Sequence, residues 1–386
     1  MQIDVAKRLQ HTEEYYFSKK LREIDELNKQ GARVINLGIG SPDLPPHPEV
    51  IATLNTNAQL PNVHGYQNYK GAPVLRQAIA DWYQRYYNAT FNPDTEILPL
   101  IGSKEGIVHI CMTYLQEGDK ALIPNPGYPA YAAAVRLSGA EAITYNLSEE
   151  NNWLIDLDEL RKQDLTQVKL MWINYPHMPT GASASDTFYA ELIQFAKEYN
   201  ILICHDNPYS FILTDAPRSI MRVPGAKEVA IELNSLSKSS NMAGWRVGVL
   251  VAADERINQV LRFKSNMDSG MFLPVQLAAA KALQLDASWY KDLNKIYSER
   301  RHKVYELMDL LGCSYQKDQV GLFVWAKTPD AYKDGYALSD TVLDKSRVFI
   351  TPGGIFGDGG NQYIRISLCA QVDILEESIQ RIKNSF

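Results

Sequence analysis

The chain contains no long hydrophobic run, although 45% of its 386 residues are hydrophobic. No uninterrupted apolar stretch reaches the roughly 20 residues that a membrane-spanning helix needs. The amino-terminal stretch MQIDVAKRLQHTEEYYFSKK is charged throughout and lacks the apolar segment of a secretory signal. Since the signatures of membrane and secreted proteins are both missing, we expect a cytoplasmic protein without a membrane partner.

Cysteine and clustered positive charge are also scarce. The four cysteines, at 111, 204, 313 and 369, show neither a CxxC nor a Cys/His ligand spacing. We interpret them as reduced core residues and expect no metal site. The formal net charge is -6, and lysine and arginine are dispersed along the chain, which argues against a nucleic-acid partner. Small molecules or a second copy of the chain are the expected partners.

The apolar segments that are present predict an α/β fold. The strand-like runs in KALIPNPGY, LMWINYP and ILICHDNPY each end in a polar loop, and helix-like segments separate them. This alternation predicts a mostly parallel central sheet flanked by helices, with a site at the carboxyl ends of its strands. We expect a large domain over 48–285 and a smaller α+β domain from both termini, 1–47 and 286–386. Helices are predicted from about 13 to 30 and in WYKDLNKIYSERRHKVYELMDLLG.

The stretch SLSKSSNMAGWRVGVLVA, 235–252, carries a lysine in an unusual place. Lys238 lies in a predicted polar loop between the apolar runs VAIEL and VGVLVA. Ser235, Ser237 and Arg246 are the groups that a phosphate-bearing aldehyde cofactor needs beside an imine-forming amine. A lysine- and serine-rich surface turn explains the stretch equally well.

Two further positions have a functional and a structural interpretation. Asp206 ends a predicted strand, with Tyr209 three residues later, and can either pair with a ligand or cap a helix. Ser103 and Lys104 begin a predicted helix, where free N–H groups and the helix dipole favour an anion. A plain N-cap accounts for Ser103 as well.

Other candidates are weaker in isolation. Gly40, in the glycine- and proline-rich segment VINLGIGSPDLPPHP, permits a close backbone approach to a ligand or merely connects elements. Tyr66 and Tyr128 lie in aromatic loops, where packing is the commoner role. Arg365 alternates with isoleucines in the predicted strand YIRIS and so faces away from them.

Taken together, these motifs resemble the class I/II aminotransferases of the pyridoxal-phosphate fold type I group over nearly the whole chain. SLSKSSNMAGWRVG is similar to the family's cofactor-lysine signature, DNPY to its Asp-x-x-Tyr element, NPGYPAY to its ring-stacking loop and YIRIS to its carboxylate-binding strand. The segments IGSKEGI, KSNMDSGMF and GLFVW are most similar to diaminopimelate-type aminotransferases.

The resemblance implies pyridoxal 5'-phosphate as cofactor and a role for each matching residue. Lys238 would bind the cofactor covalently and then transfer the proton at the substrate Cα. Asp206 would pair with the pyridine nitrogen, which makes the ring an electron sink. Tyr209 would donate to the ring's phenolic oxygen, and Tyr128 would stack on the ring.

Other residues match the positions at which the family binds the cofactor's phosphate and the substrate. The resemblance implies a phosphate site made of Ser103, Lys104, Ser235, Ser237 and Arg246, with Tyr66 reaching it from the second subunit of a homodimer with shared active sites. Arg365 would bind the substrate α-carboxylate through a bidentate fork, and Gly40 belongs to the substrate side.

One position departs from the family pattern. The family usually has an asparagine before Pro-Thr-Gly, which donates to the ring's phenolic oxygen and contacts the carboxylate-binding arginine. This chain has Met178, which cannot donate. We expect a raised pKa of the cofactor's imine and a less rigid Arg365, unless His177 or an ordered water supplies the missing donor.

The sequence thus predicts an enzyme that moves an amino group from an L-amino acid to a 2-oxo acid by ping-pong exchange. The diaminopimelate-type resemblance favours a donor with a long polar or acidic side chain. Two alternatives remain: a β-elimination lyase of the same fold, and a ligand-binding relative without turnover. The presence of Lys238, Asp206 and Arg365 argues against the second alternative.

Overall fold

The computed structural model describes residues 3–10 and 16–386. The strands are β1 (Ile35–Asn36), β2 (Ile97–Leu100), β3 (Lys120–Asn125), β4 (Glu141–Asn146), β5 (Val168–Ile173), β6 (Leu202–Asp206), β7 (Ala230–Ser235), β8 (Gly248–Val251), β9 (Phe323–Lys327), β10 (Val348–Phe349), β11 (Thr351–Pro352) and β12 (Tyr363–Ser367). The helices are α1 (Lys7–Gln10), α2 (Tyr16–Lys29), α3 (Pro48–Ala58), α4 (Pro73–Tyr87), α5 (Ser103–Tyr114), α6 (Pro129–Leu137), α7 (Leu157–Arg161), α8 (Asp186–Tyr199), α9 (Ala226–Val229), α10 (Leu236–Ser239), α11 (Asp254–Lys264), α12 (Leu273–Leu283), α13 (Ser288–Leu310), α14 (Gly335–Ser346) and α15 (Val372–Lys383). Within the described ranges, no helix is both long and apolar enough to cross a membrane.

Seven strands form the central sheet, in the order β2-β8-β7-β6-β5-β3-β4. The pairs from β7 to β4 are parallel, whereas β8 is antiparallel to both β2 and β7. The three strands read from the sequence, β3, β5 and β6, lie side by side. The predicted mostly parallel sheet is therefore confirmed, with β8 as the reversed strand.

The central sheet is buried on both faces. In β5, Leu170 and Trp172 pack into one apolar cluster, and Met171 and Ile173 pack into another. Helices α5, α6 and α11 contribute to the first cluster, and α4, α8 and α12 to the second. A strand covered on both faces needs a continuous apolar run, which explains the sequence LMWI. Each of the four cysteines is buried with a free thiol, as predicted.

Helix boundaries follow local sequence. Helix α8 begins where the Ser185 side chain accepts a hydrogen bond from the Phe188 N–H, and it ends at Asn200 in the left-handed conformation. Helix α4 begins with Pro73, at a position where no backbone N–H is needed. The helix predicted from about 13 is observed from Tyr16, and its first predicted residues lie outside the described ranges. The predicted long amphipathic helix is α13.

Two smaller sheets lie outside the central one. Strands β11, β12 and β9 form an antiparallel sheet in that order, and β1 pairs in parallel with β10. All of these strands come from 1–47 and 286–386, whereas the central sheet lies within 48–285. The division into two domains at these boundaries stays a prediction, which this distribution of strands supports.

The parallel strands bring polar residues to one end of the central sheet. Strands β3, β5, β6 and β7 run in the same direction, so their carboxyl ends are neighbours. Asp206 is the last residue of β6 and Ser235 is the last residue of β7. The site predicted at this end of the sheet therefore has residues from several strands available to it.

Candidate active site

A cavity of about 480 Å³ opens at the carboxyl ends of the strands. All but one of the predicted site residues line it: Gly40, Ser103, Lys104, Tyr128, Met178, Asp206, Tyr209, Ser235, Ser237, Lys238, Arg246 and Arg365. The exception is Tyr66, which does not line the cavity and is 93% exposed. Residues far apart in the sequence thus converge on one open cavity of the size that small-molecule sites have.

Lys238 lies on α10, a helix of one turn that directly follows β7. The predicted loop is therefore wrong at this point: the Ser235 side chain accepts from the Ser237 N–H and starts a helical turn instead. The Lys238 amine donates to the Gly40 carbonyl oxygen at 2.6 Å. Burial lowers the pKa of Lys238, and the guanidinium groups of Arg365 and Arg246 lower it further. A lysine in this state is closer to the neutral, nucleophilic form than one in water.

Asp206 has a buried carboxylate that is only partly satisfied. Its Oδ2 accepts from the Tyr131 hydroxyl at 2.8 Å, while Oδ1 has no hydrogen-bond partner among the described residues. Burial raises the pKa of Asp206 to about 6. The Asn174 side chain donates to the Asp206 carbonyl oxygen at 2.6 Å and holds the end of β6 in place. No helix is capped by this carboxylate among the described residues, so the structural interpretation of Asp206 is not supported.

Behind Asp206 lies a buried hydrogen-bond network that the sequence analysis does not predict. The Glu232 carboxylate pairs with His205 Nδ1 at 2.8 Å and accepts from the hydroxyls of Tyr83 and Ser219 at 2.8 and 2.6 Å. Both Glu232 and His205 are fully buried. Since buried polar groups need hydrogen-bond partners, this network ties β6 to β7 immediately behind the site.

Helix α5 starts at the cavity with a tightly packed first turn. Its N-cap is Gly102, at φ 86°, and not Ser103, so the capping interpretation of Ser103 is wrong. A Cβ atom at position 102 would lie 2.1 Å from Arg246 Nη2, and one at Gly248 would lie 2.4 Å from the Ser103 nitrogen. Arg246, itself at φ 58°, donates through Nη1 to the Ala243 carbonyl at 2.8 Å. Free N–H groups, a helix dipole and a guanidinium thus converge where an anion can bind.

Arg365 is held among aromatic rings and a thioether. Its Nη2 donates to the Gly38 carbonyl at 2.7 Å, and its Nη1 lies 3.2 Å from the Met178 sulfur. The guanidinium carbon is 3.9 Å from the ring centroid of Phe323 and 4.6 Å from that of Phe356. The methionine therefore contacts the predicted carboxylate-binding arginine, as the family's asparagine does, but it offers sulfur in place of an amide.

His177 does not replace the missing donor in this structure. It is buried, its Nδ1 lies 2.9 Å from Thr180 Oγ1, and it does not line the cavity. Burial lowers the pKa of His177 to about 3, so the ring is neutral near physiological pH.

Two predicted tyrosines line the cavity. Tyr128 immediately precedes α6 and packs edge-on against Tyr131, with ring centroids 5.6 Å apart. Tyr209 is buried and lies edge-on to Phe323 at 6.0 Å. Burial raises the pKa of Tyr209, so its hydroxyl stays protonated and able to donate.

Sequence reasoning missed several residues that shape the site. The Tyr131 hydroxyl donates to Asp206, and Tyr131 lies three residues after Tyr128, whose ring it contacts. Phe17, Phe323 and Phe356 enclose Arg365. Phe17 falls within the helix predicted from about 13 to 30, but a predicted helix does not say which residue a side chain will contact.

Comparison with known proteins agrees with this geometry. The family model described as "Aminotransferase class I and II" matches residues 32–382. The LL-diaminopimelate aminotransferases of Dehalococcoides mccartyi and Halothermothrix orenii are 41% and 40% identical to this chain, each over 99% of both chains.

Solved structures are similar as well. Substrate-bound BacF from Bacillus subtilis is 37% identical, has a TM-score of 0.94, and covers 100% of this chain and 98% of its own. An aspartate aminotransferase from Thermus thermophilus has a TM-score of 0.92 over the full length of both chains at 22% identity, which shows the fold alone. The chain therefore belongs to the class I and II aminotransferases, enzymes of fold type I that depend on pyridoxal 5'-phosphate.

Proposed function

We propose that Lys238, Asp206 and Arg365 carry out amino transfer from an L-amino acid to a 2-oxo acid in a cytoplasmic homodimer. The observation that supports this most is their meeting in one cavity: a lysine of lowered pKa, a carboxylate with an unsatisfied oxygen, and an arginine fixed by its neighbours. These are the proton-transfer group, the ring-nitrogen partner and the carboxylate clamp that the reaction requires.

The residues present fit the cofactor. The buried, unpartnered Oδ1 of Asp206 is the partner that a protonated pyridine nitrogen needs. The absence of a side chain at Gly102 lets the Arg246 guanidinium approach the start of α5, and its absence at Gly248 lets β8 pack against Ser103, so a guanidinium and the N–H groups of a helix start are available to one phosphate. Ser103, Lys104, Ser235 and Ser237 would complete the phosphate site from this chain, with Tyr128 against the ring and Tyr209 at its phenolic oxygen. When bound, the cofactor withdraws electrons from the substrate Cα through its ring and so acidifies the Cα proton.

Lys238 is the group that moves this proton. Its amine can accept a proton at Cα only while it is neutral, and burial together with two nearby guanidinium groups favours that state. The Gly40 carbonyl holds the amine at 2.6 Å in this structure, within the cavity and on the substrate side. Lys238 thus acts first as base and then as acid within one site.

Arg365 and Asp206 orient the reactants. The Arg365 guanidinium is planar and its position is fixed by Gly38 and by the rings beneath it, so it can bind an α-carboxylate with little loss of entropy. Tyr131 and Asn174 fix Asp206, which keeps its free oxygen directed at one position. Arg365 therefore sets the position of Cα, and Asp206 maintains the charge that makes Cα acidic.

The dimer and the location rest on separate observations. Tyr66 is 93% exposed and outside the cavity of its own chain, which supports a role in the site of a second subunit. Four buried free thiols support a reducing, cytoplasmic location. Neither the lyase nor the non-catalytic alternative is favoured by the comparisons.

Two donor classes have specific support. The relatives about 40% identical are named for LL-diaminopimelate, which supports a long donor with a charged distal end. The rings around Arg365 favour an apolar donor instead.

Purified holoenzyme mixed with single amino donors tests the reaction. We expect loss of the cofactor's visible absorbance with one donor, formation of its 2-oxo acid, and recovery of the absorbance when an acceptor 2-oxo acid is added. The two half-reactions should be separable, as ping-pong exchange requires. Release of ammonia and pyruvate from a cysteine conjugate without any acceptor would instead identify a lyase.

A further inference from the structure

The wall of the cavity around Arg365 is apolar. We call this wall the side-chain subsite and define it as Phe17, Leu21, Ile39, Met178, Phe323 and Phe356, all of which line the cavity. Phe17 and Leu21 are four residues apart on α2 and lie on the same face of that helix. Three of the subsite rings lie within 5.6 Å of the Arg365 guanidinium carbon. A side chain that enters beside the α-carboxylate therefore meets rings and aliphatic groups.

The charged groups of the cavity are already assigned. Among the described lining residues these are Lys104, Asp206, Lys238, Arg246 and Arg365. Lys104 and Arg246 lie at the phosphate site, Asp206 and Lys238 serve the ring and the proton, and Arg365 serves the α-carboxylate. No charged side chain in the described lining is left for a second carboxylate or a second ammonium group, and the remaining polar groups near α2 are the hydroxyls of Ser18 and Ser41.

Met178 makes the wall less polar where the family pattern has an amide. Its sulfur lies 3.2 Å from Arg365 Nη1, and its side chain is buried. A thioether is polarisable and packs well against rings, but it offers no hydrogen-bond donor to a polar substrate. The substitution thus removes an amide from the position next to the substrate.

We propose that the side-chain subsite takes an L-amino acid with an apolar side chain, above all an aromatic one, in preference to diaminopimelate or glutamate. This rests on the proposed role of Arg365 as the α-carboxylate clamp. A ring that enters the subsite exchanges water for contact with Phe17, Phe323 and Phe356. The distal charges of diaminopimelate would lose their water without gaining a partner from this chain. The resemblance to diaminopimelate-type aminotransferases predicts a donor with a polar or acidic side chain, whereas the lining of the cavity favours a donor with an apolar side chain.

The first test compares donors on the wild-type holoenzyme. L-phenylalanine, L-leucine, LL-diaminopimelate and L-glutamate are assayed for kcat/KM through the loss of cofactor absorbance. We expect phenylalanine to exceed diaminopimelate and glutamate by at least about tenfold, the scale on which pockets discriminate by apolar contact. If diaminopimelate or glutamate is turned over as well as phenylalanine or better, the proposal is wrong. This holds also if the reason is a charged residue that a partner subunit places in the cavity.

A binding measurement separates the subsite from the reaction. Calorimetry on the holoenzyme compares 3-phenylpropanoate with glutarate and pimelate, carboxylates that cannot react because they have no amino group. Tighter binding of 3-phenylpropanoate supports the side-chain subsite. If it is found but no amino donor is turned over, the proposed function is wrong and the subsite is still supported. Tighter binding of either dicarboxylate overturns the subsite while leaving amino transfer intact.

A matched pair of variants locates the subsite. Ser18 is exposed on α2 and lines the cavity, so Ser18→Arg adds a cation beside Phe17 without removing core packing. Ser18→Gln adds a comparable neutral side chain. We expect Ser18→Arg to lower the phenylalanine-to-glutamate ratio of kcat/KM by at least threefold, and Ser18→Gln to leave it near the wild-type value. An unchanged ratio in both variants would place substrate side chains elsewhere and overturn the assignment.

Discussion

Among single residues, Asp206 combines a proposed functional role with a cost in stability. Its folded-state pKa of about 6 lies well above the ordinary value of 3.8, because burial disfavours the charged form. A raised pKa means that Asp206 stabilises the fold below about pH 4 and loses that contribution as the pH rises through about 6. In the cofactor-free protein the ionised carboxylate is therefore destabilising at neutral pH.

We accordingly predict that Asp206→Asn stabilises the cofactor-free protein at pH 7 relative to wild type. The shift of about two pKa units corresponds to roughly 3 kcal/mol in the free energy of unfolding, an order-of-magnitude value. Denaturant unfolding of both proteins between pH 4 and 8 measures this difference, which should grow with pH and level off above about 6. The same variant should lose most of its transaminase activity. If the difference in the free energy of unfolding does not change with pH, the Asp206 carboxyl has an ordinary pKa and the prediction is wrong.

A second prediction for a single residue concerns the attachment of the cofactor to Lys238. Lys238→Ala keeps the residues of the proposed phosphate site, so we expect it to bind pyridoxal phosphate reversibly but to show no turnover. Borohydride reduction of the wild-type holoenzyme followed by peptide mass spectrometry should find the cofactor on Lys238. A stable adduct on another lysine would contradict the assignment.

Met178 gives a spectroscopic prediction. An asparagine at this position would donate to the phenolic oxygen of the cofactor, and a bond to a charged acceptor contributes about 1.5 to 3 kcal/mol, or roughly one to two pKa units. We expect Met178→Asn to move the pH titration of the cofactor's visible absorbance to lower pH by that amount. Since His177 is buried outside the cavity, His177→Ala should leave the midpoint unmoved. If instead Met178→Asn has no effect and His177→Ala raises the midpoint, the histidine supplies the donor.

Among the secondary-structure elements, α5 has a first turn whose packing depends on Gly102 and Gly248 more than on Ser103. Gly102→Ala would force a Cβ into Arg246 at a φ of 86°, so we expect at least about tenfold weaker cofactor affinity, or about 1.4 kcal/mol. Gly244→Ala is the matched control, because a Cβ there meets no atom within 4 Å. Fluorescence titration of the cofactor-free variants with pyridoxal phosphate measures both affinities. Equal loss in the two variants would show a general effect on stability.

The same elements show what the sequence can and cannot predict. Apolar runs and polar strand ends were sufficient for β3, β5 and β6, because a sheet buried on both faces leaves a strong periodic signal. The turn that carries Lys238 was predicted as a loop, since one helical turn is too short to have a period. The N-cap role of Ser103 stayed open in the sequence because the close approach of Arg246 to Gly102, the observed N-cap, joins residues that are remote in the sequence. Contacts of this kind, and the rings around Arg365, depend on tertiary packing and leave no local pattern.

For the whole molecule, the proposed homodimer predicts complementation between defective subunits. A Tyr66→Ala subunit would lack the proposed phosphate contact to its partner, and a Lys238→Ala subunit would lack the proposed proton-transfer group of its own site. Mixing the two after subunit exchange should restore activity, because one site of each hybrid dimer is then intact. Mass spectrometry of differently tagged subunits verifies the exchange, and no recovery in verified hybrids would argue against shared sites.

The positions of the site residues along the chain have a consequence for biosynthesis. The residues proposed to hold the cofactor all precede position 250, whereas Phe323, Phe356 and Arg365 are synthesised later. Because domains fold while the ribosome extends the chain from its amino end, the phosphate site can assemble first. Phe17 is synthesised near the start of the chain, but its contact with Arg365 can form only after the last strands have been made. In each nascent chain, the residues of that chain proposed to bind the cofactor are therefore available before the arginine proposed to bind the amino acid.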